Sequence, residues 1–408
     1  VGRNGVSHQY AARPSGESFP AAIDGLPAMN ILLVNWRDMK HPQAGGAEVH
    51  YHEIFRRLVA RGHTVVLLTT RFPGSARSDI QDGIIIHRWG NAYLFNWQTP
   101  FFIPFLLKKH RIDCIIDDIN KIPFFTPKFF RRVPTGAFFH HLFGRTIFEV
   151  TAKPLARYIL FLENRIAWAY RHTPCCTVSQ STLAELTARG FSYDNITIIE
   201  NSVDIERFSC GRPTKKEDDL LLYVGRLKRY KNLDIVMEAM RKLNERNKRL
   251  RLVICGSGDD ELRLRECARK NGVEGQVTFA GHAGEEEKVD LYHRATLLVN
   301  PSIKEGWGIT NIEANAAGTA VVANNAPGLV DSVRHGITGL LYKFNDVEDL
   351  ADCIRKLTDD VGLRQTMERE GRTWAHKFSW DNSAMRMEEW LIDKVMKKGE
   401  ANKENPGK

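Results

Sequence analysis

Residues 300–323, NPSIKEGWGITNIEANAAGTAVVA, decide the fold. They open at the end of an apolar run, Ala295–Asn300, with the length and composition of a buried strand. A loop with two glycines follows (305–308), then a helical pattern (311–317) and a second apolar run (319–323). Strand, glycine loop, helix and strand make a βαβ unit. Ligands of such units collect beyond the carboxyl ends of the strands. Glu305 falls in that loop. Glu313 falls about two turns further on, among the small apolar residues Ile312, Ala314, Ala316 and Ala317. A half-buried carboxylate there needs hydrogen-bond donors, and a sugar or ribose diol supplies them. The alternative is a loop charge and an ordinary helix-surface glutamate.

The same alternation extends upstream and downstream. A strand at 220–224 ends in Gly225-Arg226, and a helix begins at Lys231 and runs to about 243. Strands follow at Arg251–Cys255, ending in Gly256-Ser257-Gly258, and at 276–279, 339–342, with a helix at 347–357. In the amino-terminal half a strand at 30–35 leads through a loop with Gly45-Gly46 into a helix ending near Ala60, then a strand at 64–70. Further strands are expected at 84–87, 114–117, Thr135–Phe139, 176–179 and 196–199, and one long helix at 155–170. Ser179 or Ser181 can cap the helix that begins near Thr182. The polar stretch 204–219, with Gly211 and Pro213, reads as a linker. The division expected is a Rossmann-like domain at 29–204, a second at 205–380 and a helix at 381–398 packing back across both. Residues 1–28 and 399–408 are expected to be a disordered extension and a solvated tail. Two doubly wound α/β domains joined by a linker imply a deep cleft between them.

A chain of 408 residues with 43% hydrophobic and 26% charged residues has an ordinary soluble globular composition, long enough for two or three domains. Residues 1–28 have neither the pattern of a signal peptide nor that of a membrane span. The seven cysteines (114, 175, 176, 210, 255, 267, 353) are odd in number and form no C-x-x-C pair. A zinc ribbon or disulfide framework is therefore not indicated, and reduced thiols of a cytoplasmic protein are expected. Net charge is +9, and most of the excess lies between residues 29 and 204, with 21 Lys/Arg against 14 Asp/Glu. The clusters 108–111, Lys128 and Arg131-Arg132 sit near aromatic segments. Such a surface suits peripheral contact with the inner face of an anionic membrane, or is simply a solvated basic face. Nucleic acid is not expected, since no binding motif accompanies the charge. The aromatic segment 93–107, with Phe95, Trp97, Phe101, Phe102 and Phe105, is expected to be core, the alternative being a face for a lipid or other hydrophobic acceptor.

Two features point to an anion. Arg226 and Lys231 both follow the carboxyl end of a strand without matching carboxylates close by in sequence. Gly45-Gly46 opens a helix, where backbone N–H groups and the dipole favour phosphate. This is neither a G-x-G-x-x-G fingerprint nor a Walker loop. A guanidinium binds phosphate through two donors and a lysine as a point charge, so a diphosphate is the natural ligand. After the strand Thr135–Phe139, His140-His141 enter a loop as metal ligands, a base or hydrogen-bonding groups. Neighbours on a strand face opposite ways, which argues against joint chelation and leaves one of them for the cleft.

Gly225-Arg226-Leu227 with Lys231-Asn232, Glu305 with Glu313 eight residues on, Gly318, Gly328 and Gly45-Gly46-Ala47-Glu48 together resemble retaining glycosyltransferase family 4. The resemblance covers roughly residues 29–380. It implies the GT-B fold, two Rossmann-like domains facing a deep cleft, and a nucleotide-sugar donor, a UDP- or GDP-hexose. Carried over by position, it makes Arg226 and Lys231 the diphosphate ligands that stabilise the leaving phosphate. Glu313 would hold the ribose hydroxyls, and Glu305 the donor sugar, with the backbone of Gly306, Trp307, Gly308 and Ile309 beside it. Gly45, Gly46, Gly225 and Gly256 would border the donor. His140 matches the family's histidine before the acceptor loop, and His141 is a weaker candidate. The resemblance further implies hexose transfer to a glycan or lipid-linked acceptor, with retention, in the assembly of cell-envelope polysaccharide, glycolipid or glycoconjugate. No metal is expected, there being no Asp-x-Asp motif. A catalytically silent sugar-nucleotide-binding protein is the competing reading; an epimerase or phosphorylase fits less well. The chain departs from the family at Glu200-Asn201-Ser202, where Pro-Asn-Gly is usual, and at Thr319-Ala320, where Thr-Pro is commoner. The first departure bears on the interdomain hinge.

Overall fold

The computed structural model describes residues 28–91, 94–120, 122–209 and 216–399. The expected extension and tail fall almost wholly outside these residues. So do Cys210, Tyr93 and the centre of the expected linker.

Two sheets organise the chain. The first contains β1 (Asn30–Val34), β2 (Thr64–Thr69), β3 (Ser78–Gln81), β4 (Ile84–Arg88), β5 (Cys114–Ile119), β6 (Thr135–Phe139), β7 (Cys175–Thr177) and β8 (Ile196–Ile198), in the order β3-β4-β2-β1-β5-β6-β7-β8. The second contains β9 (Glu217–Val224), β10 (Arg251–Cys255), β11 (Val277–Gly281), β12 (Ala295–Asn300), β13 (Ala320–Asn324) and β14 (Gly339–Tyr342), in the order β11-β10-β9-β12-β13-β14. Every pairing is parallel except β3 with β4. Nearly continuous apolar runs such as NILLV and ATLLVN are what a sheet covered on both faces demands. The strand order reverses at β1 in one sheet and at β9 in the other. Each reversal opens a crevice at the carboxyl ends of its strands. The fold is GT-B: two Rossmann-like α/β domains.

The carboxyl-terminal helix, Trp380–Trp390, continues as a π-helical turn, Leu391–Met396, and packs on the Gly46–Ala60 helix of the first domain. Arg57 Nε donates to Asp381 (2.7 Å); Arg61 donates to Glu388 Oε2 through Nε (2.9 Å) and Nη2 (2.6 Å). The outgoing and returning crossings between domains are bonded to each other. Val203 N donates to the Phe378 carbonyl at 3.2 Å, and the Ser202 and Ser383 hydroxyls pair at 2.8 Å. Ser202 stands where the resembling family carries glycine, so the departure supplies a hydroxyl that ties the two crossings together.

Three expectations are corrected. The segment expected as core aromatics is a helix, Phe95–His110, with two faces. Phe95, Ile103 and Leu106 are buried, while Leu94, Trp97, Phe101 and Phe105 are 52%, 48%, 80% and 55% exposed. A period of 3.6 residues separates the two sets, which a count of aromatics does not. The long helix at 155–170 is broken into Lys153–Glu163 and Ile166–Tyr170. Beside the break, Glu163 turns its carboxylate to the backbone N–H groups of Phe143 (2.7 Å) and Gly144 (3.0 Å). The helix expected to start at Lys231 starts at Asp234, after a 3-10 turn, Arg229–Lys231. Asn232, at φ +57°, separates the two. The edge strand β3 and the helices Glu261–Lys270, Glu285–Arg294 and Val361–Ala375 were not resolved by the sequence pattern.

Candidate functional site

The crevices of the two sheets face each other across one cleft of about 2270 Å3. Gly45, Gly46, His140, Gly225, Arg226, Lys231, Gly256, Glu305, Gly306, Trp307, Gly308, Ile309 and Glu313 all line it. His140 and His141 both border it, although only one was expected to.

The second-domain wall is built from tight backbone. Gly225 (φ +151°) follows β9 and Gly256 (φ +147°) follows β10. A β-carbon on Gly256 would lie 1.9 Å from the Gly225 carbonyl oxygen, so only glycine lets these two strand ends meet. Arg226 projects from this corner as an exposed guanidinium that makes no hydrogen bond or ion pair with the described residues. Lys231 is different. It forms a short ion pair with Glu305, which corrects the expectation that the two cations lack a carboxylate. Burial alone would push the lysine toward neutrality, but the Glu305 carboxylate outweighs it and holds the pKa above the ordinary value.

Glu313 is 9% exposed. Its donors come from the protein itself: Tyr292 Oη–H donates to Oε2 at 2.7 Å and Lys288 Nζ lies 3.3 Å from Oε1. A ligand diol is therefore not required to hold the buried carboxylate, and would share it with these donors. The helix carrying it, Ile309–Ala316, begins after Gly308 at φ +81°, where a β-carbon would strike Ser332 Oγ at 2.8 Å. The Trp307 indole is buried edge-on against Phe378, with 5.2 Å between ring centroids.

On the first-domain wall, the Gly46–Ala60 helix points its amino terminus at the cleft. Gly45 N–H is not free: it donates to Glu48 Oε2 at 2.7 Å. Burial raises the Glu48 pKa, with Arg37 pulling the other way. A β-carbon on Gly46 would meet nothing within 4 Å, so the helix start opens onto empty cleft. Arg37 lines the cleft as well, held by the Gln43 carbonyl and side chain at 2.8 Å each. Burial lowers its pKa, Glu48 opposes this and Arg226 adds to it, which makes Arg37 and Arg226 electrostatic neighbours. His140 is buried at the end of β6, its Nε2 2.6 Å from Asp118 Oδ1. Asp118 in turn accepts from Asn35.

Residues that sequence reasoning missed are Arg37, Asp118, Lys288 and Tyr292. Arg37 and Asp118 carry a readable signal, lying at or just beyond the carboxyl ends of strands flanking a sheet reversal. Lys288 and Tyr292 sit in a charged helix far along the chain and carry none.

The walls touch at several points. Lys304 pairs with Glu185, and Ser181 N–H donates to Asp331 Oδ1 at 3.2 Å. Ser179, not Ser181, caps the intervening helix, accepting from Thr182 N at 3.1 Å. Among the described residues no group of three or more His, Cys, Asp or Glu side chains is placed to hold a metal ion.

Known families match both halves. Residues 204–374 match the family Glycosyl transferases group 1, and residues 44–207 match Glycosyltransferase Family 4. The chain is a GT-B glycosyltransferase of the family 4 type. This glycosyltransferase is 28% identical over 392 residues to a glycogen synthase of Mycobacterium tuberculosis, covering 87% of the chain and 92% of that relative. It is 33% identical over 219 residues to a D-inositol 3-phosphate glycosyltransferase of Corynebacterium aurimucosum, and that match spans only about half of either protein (50% and 52%). Among solved structures it superposes on the sucrose-phosphate synthase of Thermosynechococcus elongatus with a TM-score of 0.73 at 20% identity, covering 89% of the chain and 98% of the other. HepE of Anabaena, solved with UDP and glucose, gives 0.69 at 19% identity, covering 89% and 99%. These two show the shared fold of the glycosyltransferase.

Proposed function

We propose that the protein transfers a hexose from a UDP- or GDP-sugar to a glycan or lipid-linked acceptor, with retention and without a metal ion. The observation that carries this reading is the gathering of Arg226, Lys231, Glu305 and Glu313 on one wall of a cleft whose other wall presents a helix amino terminus, Arg37 and His140. A nucleoside diphosphate sugar needs that arrangement: cations at the middle, carboxylates for hydroxyls at both ends, and a facing wall for the acceptor. HepE, which shares the fold, was solved with UDP, and this supports a nucleotide-sugar donor.

Breaking the bond between the sugar C1 and the β-phosphate oxygen leaves an electron pair on that oxygen. Fixed positive groups aimed at it are the main stabilising device. The Arg226 guanidinium, without a partner among the described residues, can close on the phosphate through two N–H donors. Lys231 is held ready by Glu305, and the arriving phosphate shares its ammonium, freeing carboxylate acceptor capacity for sugar hydroxyls. Glu313 takes the ribose hydroxyls beside Lys288. The acceptor hydroxyl attacks C1 from the face the phosphate leaves, and its proton passes to the departing phosphate oxygen. His140, fixed by Asp118, borders the sugar. No enzymic nucleophile is assigned.

Turnover of UDP- and GDP-hexoses, read as nucleotide release, tests the reading. The unmodified protein should release nucleotide and Arg226→Ala should abolish release. Binding of nucleotide sugars without any release from the unmodified protein would instead establish the silent sugar-nucleotide-binding protein. In its cellular setting the reading places the enzyme in the cytoplasm, in envelope polysaccharide, glycolipid or glycoconjugate assembly.

A further inference from the structure

The outer face of the first domain has aromatic side chains that none of the other described residues covers. Leu94, Trp97, Phe101 and Phe105 recur on one side of the Phe95–His110 helix, and all are about half exposed or more. Phe101, at 80% exposure, is the extreme. The stripe ends in the exposed Lys108 and Lys109. The Lys153–Glu163 helix lies beside it: Trp97 Nε1–H donates to Tyr158 Oη at 2.6 Å. That helix and the Ile166–Tyr170 helix after it add Leu155, Phe161 and Trp168, at 39%, 51% and 60% exposure. Cations lie over these rings, Arg165 on Phe161 at 3.5 Å and Lys128 on Trp168 at 4.5 Å. Neither helix offers an exposed carboxylate: residues 94–111 contain no Asp or Glu, and Glu163 is buried. Leu94, Trp97, Leu155 and Tyr158 also line the mouth of the cleft.

We propose that this face docks on an anionic lipid bilayer, with the rings in the interfacial layer and the lysines and arginines against the headgroups, so that the acceptor side of the cleft opens at the membrane surface. The proposal rests on the transferase reading and sharpens it: the acceptor becomes an amphiphile reached at the bilayer surface. The physical case is complementarity. Large exposed apolar patches on a soluble surface mark a binding site. Exposed rings and cations on helices that expose no carboxylate of their own match the interface of an anionic bilayer, where apolar burial and attraction to acidic headgroups add. Among the described residues no helix is long and apolar enough to cross a membrane, so attachment from the surface is the geometry these helices offer.

Co-sedimentation of the full chain with vesicles of phosphatidylcholine alone, and of phosphatidylcholine with phosphatidylglycerol, tests it. Binding should require phosphatidylglycerol and weaken at high salt. It should fall by at least about tenfold in Phe101→Ser with Phe105→Ser, and likewise in Lys108→Glu with Lys109→Glu. Both pairs are exposed, and circular dichroism checks that the variants fold. Absence of binding to acidic vesicles, or binding that ignores both pairs, overturns the proposal. A dimer in solution that Phe101→Ser with Phe105→Ser dissolves would overturn it too, by making the face a contact between two copies. Nucleotide-sugar binding followed by thermal shift keeps the two readings separable. If the unmodified protein binds vesicles but no nucleotide sugar, the transferase reading fails and the docking face stands.

Discussion

The carbonyl oxygen of His140 lies 2.7 Å from the place a β-carbon on Gly306 would occupy. His140 belongs to the first domain and Gly306 to the glycine loop of the second, so the two halves of the cleft meet backbone to backbone beside the proposed reacting centre. A carbonyl in a strand-end loop cannot swing aside as a flexible side chain can. Gly306→Ala should therefore hold the domains slightly apart. Misplacement by about 1 Å costs roughly a hundredfold in turnover, and turnover assays with small-angle scattering check both effects. Unchanged turnover would mean that the contact does not matter for closure.

Glu388 carries the return of the chain to the first domain. Burial would raise its pKa, but the bonds from Arg61 and His63 hold it below the ordinary carboxylate range. The stability it contributes is present above about pH 4.5 and is lost in acid as the pH falls through the lowered folded value. Glu388→Gln leaves the buried Arg61 without a counter-charge and should cost about 3–5 kcal/mol in urea unfolding. Asp381→Asn, at a carboxylate that is itself half exposed, should cost under about 1 kcal/mol.

Asp117 is fully buried at β5, accepting from Tyr170 Oη–H at 2.6 Å and Thr126 N–H at 3.2 Å. Burial pushes its pKa up to about 7 from an ordinary 3.8. Between those values the folded state holds a proton that the unfolded state has lost, so stability falls as pH rises from about 4 to about 7, by on the order of 4 kcal/mol from this group. Both donors reach one oxygen, which the amide oxygen of asparagine reproduces. Asp117→Asn should flatten the pH dependence of the melting temperature across that window and raise stability at pH 8.

Lys231 and Glu305 act as a unit. Glu305→Gln removes the charge that keeps the buried lysine paired and should lower turnover by about a hundredfold to a thousandfold. Lys231→Ala should do the same, and the double variant should be little worse than either single one. Additive losses would show that the two side chains serve separate steps.

Much of this site was legible because βαβ units announce the carboxyl ends of their strands. Arg226, Lys231 and Glu305 follow β9 and β12 directly, and parallel pairing at the sheet reversal brings them to one wall. Pairing between distant side chains was not legible. In sequence Lys231 looks unpartnered because its carboxylate lies 74 residues away, and Glu313 looks in need of a ligand because Tyr292 and Lys288 approach from another helix. The aromatic segment hides its two faces for a related reason. Composition shows that rings are present, while the helical period decides which of them find neighbours, as the contrast between buried Phe95 and exposed Phe101 shows. Beside the break after Glu163, a loop 20 residues back donates its backbone N–H groups to the Glu163 carboxylate.

The central claim is that fixed cations grip a diphosphate. Titration calorimetry of UDP and GDP, each against its own monophosphate, tests it most directly. One of the diphosphates should bind at least about tenfold more tightly than its monophosphate, since each charge-assisted hydrogen bond contributes about 1.5–3 kcal/mol, and Arg226→Ala should erase the difference. Equal affinity for diphosphate and monophosphate in the unmodified protein, or undiminished diphosphate binding by Arg226→Ala, would contradict the account.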